Sequence, residues 1–156
     1  MNTIAVKNYF QFEEDFVENN VRCIPMSVRF KLDACGIKLK LAEWSRLNVM
    51  ERENLANFPC EAPDEILQYR NYLKQLVFSR TGDHATELPV MANPTWGLLD
   101  EIPYPLQEKL NEFKWSVSLQ QWQSLSDLQR FALLKLSYPG HENKNFPKAM
   151  REFGLG

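Results

Sequence analysis

Two stretches of the chain carry the same pattern of apolar and polar positions. Residues 24–55 read IPMSVRFKLDACGIKLKLAEWSRLNVMERENL, and residues 102–133 read IPYPLQEKLNEFKWSVSLQQWQSLSDLQRFAL. Shifting one stretch by 78 positions (102 minus 24) aligns them without a gap. The pattern predicts two related helical units over approximately 24–58 and 102–136, called here the first copy and the second copy. Nine aligned positions are identical, and most of them are apolar: Ile24/Ile102, Pro25/Pro103, Lys31/Lys109, Leu32/Leu110, Leu41/Leu119, Trp44/Trp122, Leu47/Leu125, Arg52/Arg130 and Leu55/Leu133.

The first copy is predicted to hold three short helices. Pro25 suits the start of the first, because its missing N–H is not needed there, and Gly36 supplies a stop. After Gly36, apolar residues alternate with lysines at the period of a strand. The run is short and isolated, so an extended connector is expected. Trp44 lies on the second helix, and Asn48 with Glu51 has the capping-box spacing that begins the third.

The two copies are joined by a predicted helix over residues 63–80 and a long loop over residues 81–101. A loop of this length is either functional or held in place, and Trp96 is the residue expected to hold it. In the second copy, Ser118 and Ser126 each precede a glutamine by three positions and predict two helix starts. Nothing in the pattern demands a sheet. The predicted fold class is therefore mainly α, a single compact helical domain of 156 residues built on the two repeats.

Composition narrows the class of protein. Hydrophobic residues make up 44% and charged residues 24% of the chain, as in ordinary soluble domains. A net charge of −2 argues against a general affinity for nucleic acid or for an anionic membrane. The N-terminus lacks the pattern of a secretory signal. Three cysteines without a CxxC pair fit reduced thiols in a cytoplasmic protein: Cys23, Cys35 and Cys60.

Charge is unevenly distributed along the chain. Residues 22–52 contain seven basic and three acidic side chains, a net of +4, whereas residues 83–112 contain one basic and six acidic side chains, a net of −5. Such asymmetry can orient a protein on a charged partner. The alternative is two solvated faces that attract each other within the fold.

No catalytic, cofactor-binding or metal-binding residues can be assigned from the pattern. The histidines are His84 and His141, and together with the cysteines they lack the spacing of a zinc site. No phosphate-binding glycine loop or dinucleotide fingerprint is present. The sequence therefore predicts a protein without enzymatic activity or cofactor. A small enzyme with a cysteine nucleophile is the weakest of the alternatives, because no local signature supports it.

Residues shared by the two copies are interpreted first as structural. Trp44 and Trp122 occupy equivalent positions and are expected to pack in the core. Arg52 and Arg130 are also equivalent, and each is expected to bind a carboxylate or the carbonyls at a helix end. The polar stretch over residues 139–145 has no counterpart in the other copy. It is either a binding turn or a helix-capping turn.

Several dense motifs resemble a known family. They read FQFEEDF at 10–16, RCIPMSVRFKLD at 22–33, GIKL at 36–39 and RFALLKLSYPGHENKNF at 130–146. They are similar to the nitrate-reductase-associated protein family, found mainly in cyanobacteria, and the resemblance covers essentially the whole chain. It implies an accessory protein required for the maturation or activity of assimilatory nitrate reductase, a molybdenum enzyme. Either a chaperone for cofactor insertion or a docking subunit fits this role, and the resemblance implies no site residues.

Two hypotheses about partners follow. The first is a protein surface for nitrate reductase, formed by basic residues and the polar turn: Arg22, Arg29, Lys31, Lys38, His141, Glu142, Asn143 and Lys144. The first copy is expected to meet the partner and the second to hold the core, because Arg29, Lys38 and Lys40 face Gln107, Ser116 and Ser118 in the alignment. The alternative is a helical DNA-binding regulator of nitrate assimilation genes that uses residues 22–52.

Overall fold

The computed structural model describes residues 10, 13, 23–138 and 143–155. Within them the chain is mainly helical, which confirms the predicted fold class, and contacts divide it into two compact units, residues 1–91 and 92–156. The single domain expected from the sequence stays a prediction. Each unit contains one of the two copies.

The described residues of the first unit form four α-helices and a small two-stranded sheet. These are α1 (Met26–Cys35), β1 (Ile37–Lys38), α2 (Leu41–Arg46), α3 (Val49–Asn57), α4 (Pro63–Thr81) and β2 (Thr86–Glu87). The helix predicted over residues 63–80 is thus present and one residue longer. Proline begins α4 because the first turn of a helix needs no N–H from it. The buried positions of α1 include Val28, Leu32 and Cys35, a spacing that forms one helical face.

The run after Gly36 is a strand and not the extended connector expected from the sequence. Strand β1 pairs antiparallel with β2, with Ile37 opposite Glu87 and Lys38 opposite Thr86. The partner strand lies after α4, so local periodicity could not reveal it.

Gly36, which ends α1, also allows the residue after β2 to approach its main chain closely. Gly36 has a φ of 71°, and its carbonyl accepts a 2.8 Å hydrogen bond from the Leu88 N–H. A Cβ at this position would lie 2.6 Å from the Leu88 carbonyl oxygen. Only glycine combines the left-handed conformation with this close approach.

In the second unit, residues 92–138 and 143–155 form four α-helices and two short 3₁₀ turns. These are a turn at Thr95–Gly97, α5 (Tyr104–Phe113), α6 (Leu119–Ser124), α7 (Asp127–Ser137), a turn at Asn143–Asn145 and α8 (Phe146–Glu152). Helices α5 and α6 begin 78 residues after α1 and α2 (104 minus 26, 119 minus 41). At the position equivalent to Gly36, Lys114 adopts a φ of 58°.

Conserved side chains of the two copies perform the same structural tasks. Trp44 and Trp122 are both fully buried, as predicted. The Arg52 guanidinium donates to the Leu47 carbonyl at the end of α2, and the Arg130 guanidinium donates to the Leu125 carbonyl at the end of α6. Buried guanidinium groups thus satisfy helix-end carbonyls in both copies, which confirms the structural interpretation of these arginines.

The loop before α5 is held by hydrogen bonds from two side chains of the second copy to main-chain carbonyls of the loop. The Nε of Arg130 donates to the Trp96 carbonyl at 2.9 Å. The indole of Trp122 donates to the Leu98 carbonyl at 3.1 Å. Residue 96 therefore helps to hold the loop, as expected, and the atom that accepts this hydrogen bond is its main-chain carbonyl oxygen.

Candidate partner surface

Basic side chains are the natural starting point, because the sequence placed the candidate surface on them. Residues 23–91 contain nine lysines and arginines. Seven of them are bonded through their side chains to carbonyl or carboxylate oxygens of the same unit: Arg29, Lys31, Arg46, Arg52, Arg70, Lys74 and Arg80. A cation engaged in this way is less available to a partner, so Lys38 and Lys40 are of greater interest. Arg46 joins them because it is exposed and keeps the other donors of its guanidinium open.

Arg29 occupies a position with a structural role. Its Nε donates to the Ile24 carbonyl at 2.9 Å, and the amide of its counterpart Gln107 donates to the Ile102 carbonyl at 2.6 Å. Both side chains therefore make the same bond at the start of a helix. The difference in charge between these two positions leaves that bond intact.

Lys31 is partly buried beside α3. Its Nζ donates to the Ala56 carbonyl at 2.7 Å and lies 5.8 Å from the centroid of the Tyr69 ring. Burial disfavours the charged ammonium and lowers the pKa of Lys31 to about 8, although Cys60 and Glu61 act in the opposite direction. Its assignment to the partner surface stays a prediction.

Five of the other residues predicted for the surface lie outside the described part of the chain or in the second 3₁₀ turn. Arg22, His141 and Glu142 lie outside the described residues. Asn143 and Lys144 lie in the second 3₁₀ turn, and the Lys144 side chain is exposed. Their role in binding also stays a prediction.

Three cations of the first unit are directed to solvent, and together they are called here the basic surface: Lys38, Lys40 and Arg46. Lys38 and Lys40 alternate with the buried Ile37 and Leu39, so both side chains point away from the core. Neither makes a side-chain hydrogen bond or ion pair within the described part of the chain. Arg46 is exposed at the end of α2.

Arg46 has one bond that fixes its position. Its Nη1 donates to the Arg80 carbonyl near the end of α4, at 3.2 Å. The remaining donors of its guanidinium stay open to solvent on an exposed residue. Arg46 lies six residues after Lys40, or about 9 Å along a helix axis. The three cations thus occupy one continuous segment.

The second copy has serine at each equivalent position. Lys38, Lys40 and Arg46 correspond to Ser116, Ser118 and Ser124 at the 78-residue spacing. All three serines are exposed, so the loss of charge is not a response to burial. Residues 38–46 contain three cations and one carboxylate, a net of +2, whereas residues 116–124 contain no charged residue.

The lone carboxylate in this segment has a structural task. Glu43 is buried and accepts the Lys40 N–H at 2.8 Å through Oε1. Its counterpart Gln121 accepts the Ser118 N–H at 2.9 Å in the same way. The uncharged amide makes the same bond, and Glu43 is thus part of the helix start.

Lys40 occupies a position that favours serine. It is the N-cap of α2, where its ammonium has no lone pair to accept a main-chain N–H. Ser118, the N-cap of α6, accepts the Gln121 N–H through Oγ at 3.1 Å. A side-chain cap of this kind stabilises a helix by about 1 kcal/mol relative to residues without an acceptor. Lys40 therefore costs the fold stability that Ser118 supplies.

The three thiols lie in the interior, and those of Cys35 and Cys60 are protonated at neutral pH. Cys23, Cys35 and Cys60 are all buried and form no disulfide. Burial raises the pKa of Cys35 to about 11 and that of Cys60 to about 12. Since the thiolate is the nucleophilic form, these two side chains have little of the reactive species.

Two further observations concern the described residues. Among them, no group of three or more histidine, cysteine, aspartate or glutamate side chains is arranged to hold a metal ion. No helix in this part of the chain has both the length and the apolar composition required to cross a bilayer.

Comparison with models of protein families relates the chain to a known family. The model of a family described as conserved nitrate reductase-associated protein matches residues 9–153. No curated protein and no solved structure shows significant similarity to the chain.

Proposed function

We propose that this chain, which belongs to the conserved nitrate reductase-associated protein family, supports the maturation or activity of assimilatory nitrate reductase by binding to it. The family match over residues 9–153 is the observation that carries the proposal. Solvent-directed cations in the first copy support it, because they are available to a protein partner.

Two mechanisms are compatible with this role. A chaperone for cofactor insertion binds the cofactor-free enzyme and leaves after loading, whereas a docking subunit stays with the mature enzyme. Tagged protein recovered from nitrate-grown cells is the material for the test. The molybdenum content of the co-purified nitrate reductase distinguishes the two: low content indicates the chaperone and full content the subunit.

Deletion of the gene tests the proposal itself. Nitrate reductase activity per amount of enzyme polypeptide should fall in extracts of the deletion strain and return when the gene is restored. Wild-type activity in the deletion strain would contradict the proposed function.

The DNA-binding alternative gains no support from the family description. Of the basic residues in 22–52, Arg29, Lys31 and Arg52 donate to main-chain carbonyls. Phosphate binding relies on cations that are free to approach the backbone. In the described part of that stretch, Lys38 and Lys40 meet this condition, and Arg46 meets it in part because it gives one N–H to the Arg80 carbonyl.

A further inference from the structure

We propose that the basic surface (Lys38, Lys40 and Arg46) is the docking site for an acidic face of nitrate reductase. The inference rests on the proposed function and names the surface through which it acts. Three solvent-directed cations within one segment create a local positive potential on a chain of net charge −2. Such a patch steers and orients an acidic protein partner.

Lys40 provides the strongest physical argument for a function. A serine at this N-cap would accept a main-chain N–H, as Ser118 does in the other copy. Lysine gives up that bond and makes no side-chain hydrogen bond or ion pair in return among the described residues. Residues that cost stability without a compensating contact are expected at functional sites. We therefore infer that the charge of Lys40 has a function at this position.

The surroundings leave the positive charge available. Within the pair of strands, Lys38 faces the uncharged Thr86. Glu87 bonds to Arg70 and Lys74, so its carboxylate is engaged by other cations.

One apolar side chain completes the surface. Leu41 follows Lys40 and is 44% exposed, and its counterpart Leu119 is 39% exposed. A leucine bordered by cations matches the apolar centre and polar rim of a protein interface. Because the leucine occurs in both copies, charge is what distinguishes the first.

The test compares two variants with the same change in charge. K38S/K40S/R46S replaces the basic surface with the serines of the second copy. K135S/K148S/R151S removes three exposed cations from the second unit, none of which belongs to the predicted partner surface. Each purified protein is immobilised and exposed to extract from nitrate-grown cells, and the bound nitrate reductase polypeptide is quantified.

The expected result is retention by the wild type and the control, with roughly tenfold weaker retention by K38S/K40S/R46S. Retention should also fall as salt is raised to about 1 M, where the Debye length shrinks to about 3 Å. Equal retention by both triple variants would overturn the docking site but leave the proposed function standing. Absence of nitrate reductase from the wild-type resin would contradict both.

A single variant separates a functional lysine from a structural one. K40S should raise the unfolding midpoint, because it restores a helix cap, and should weaken nitrate reductase retention by roughly twofold. A structural role would move both readouts in the same direction, and that outcome would overturn the assignment of Lys40. If loss of the basic surface abolished binding to a duplex DNA probe and left nitrate reductase retention unchanged, the surface would be a nucleic-acid site instead.

Discussion

Replacing Gly36 with alanine tests how the first unit accommodates the residue after β2. Gly36 and Gly82 both have left-handed backbones, with φ of 71° and 78°. A Cβ at residue 36 would lie 2.6 Å from the Leu88 carbonyl oxygen and 3.1 Å from the Cγ2 atom of Val90, whereas a Cβ at residue 82 meets nothing within 4 Å. The two glycines thus share their strain and differ in their neighbours.

The expected cost of each substitution follows from this difference. A left-handed conformation costs an L-residue roughly 1–2 kcal/mol. Gly82→Ala should lower the free energy of unfolding by about that amount. Gly36→Ala adds an overlap with a main-chain oxygen, and crowding of this kind costs about 1–3 kcal/mol. Its total cost is therefore about 2–5 kcal/mol. Restriction of the unfolded chain by alanine is common to both variants and cancels in their difference.

Urea denaturation followed by far-ultraviolet circular dichroism measures both costs. The midpoint of Gly36→Ala should fall well below that of Gly82→Ala at an unchanged slope. Lys114→Gly should raise the midpoint slightly, because it removes a side chain from a left-handed position. Equal costs at residues 36 and 82 would refute the reasoning that Leu88 requires glycine opposite it.

Three further predictions concern single side chains. Lys40→Ser should raise the free energy of unfolding by about 1 kcal/mol in urea melts by supplying the cap that Ser118 makes, and an unchanged or lower value would contradict this. The pKa of Glu51 is lowered mainly by its hydrogen bond from Arg80, so the stability it contributes is present above the usual pKa of 4.5 and lost as pH falls through the lowered one. Glu51→Gln should therefore be less stable than the wild type at pH 7, and urea melts should show the gap closing in acid; a gap independent of pH would exclude the ionised pair. Lys31 should titrate near pH 8 in carbon NMR of the dimethylated protein, and a midpoint above 10 would show that it is not desolvated.

Helix boundaries could be predicted because local side chains set them. Asn48, Ser118 and Ser126 each accept the N–H three residues ahead, as their capping-box spacing indicated. Gly36 ends α1 in a left-handed conformation, as its position suggested. The mainly helical class followed from these signals, since each depends on residues within one or two turns.

The strand pair could not be predicted because its cause is distant in the chain. Ile37 and Glu87 meet across 50 positions (87 minus 37), and neither segment has the length of an independent strand. The capping role of Glu13, whose carboxylate accepts the Met26 N–H at 2.7 Å, is likewise non-local. The hydrophobic periodicity of a segment predicts its own secondary structure, but it does not identify the segment that pairs with it.

Only the positive charge of the candidate surface could be predicted from the sequence. Sequence identified the basic character of the first copy, but it could not separate Lys31, which bonds to a carbonyl, from Lys38, which faces solvent. Arg46 was not among the residues predicted for the surface, although it aligns with a serine as Lys38 and Lys40 do, and this alignment is the sequence signal that could have identified it. The loss of stability that Lys40 causes could be inferred only from its N-cap position in the structure.

We propose that this protein binds nitrate reductase. The most direct measurement is recovery of the tagged protein, at its natural expression level, from nitrate-grown cells, with quantification of co-purified nitrate reductase against an untagged strain. We expect the enzyme polypeptide to be enriched, and the enrichment to decline as ionic strength rises. Recovery equal to the untagged background at low salt would contradict it.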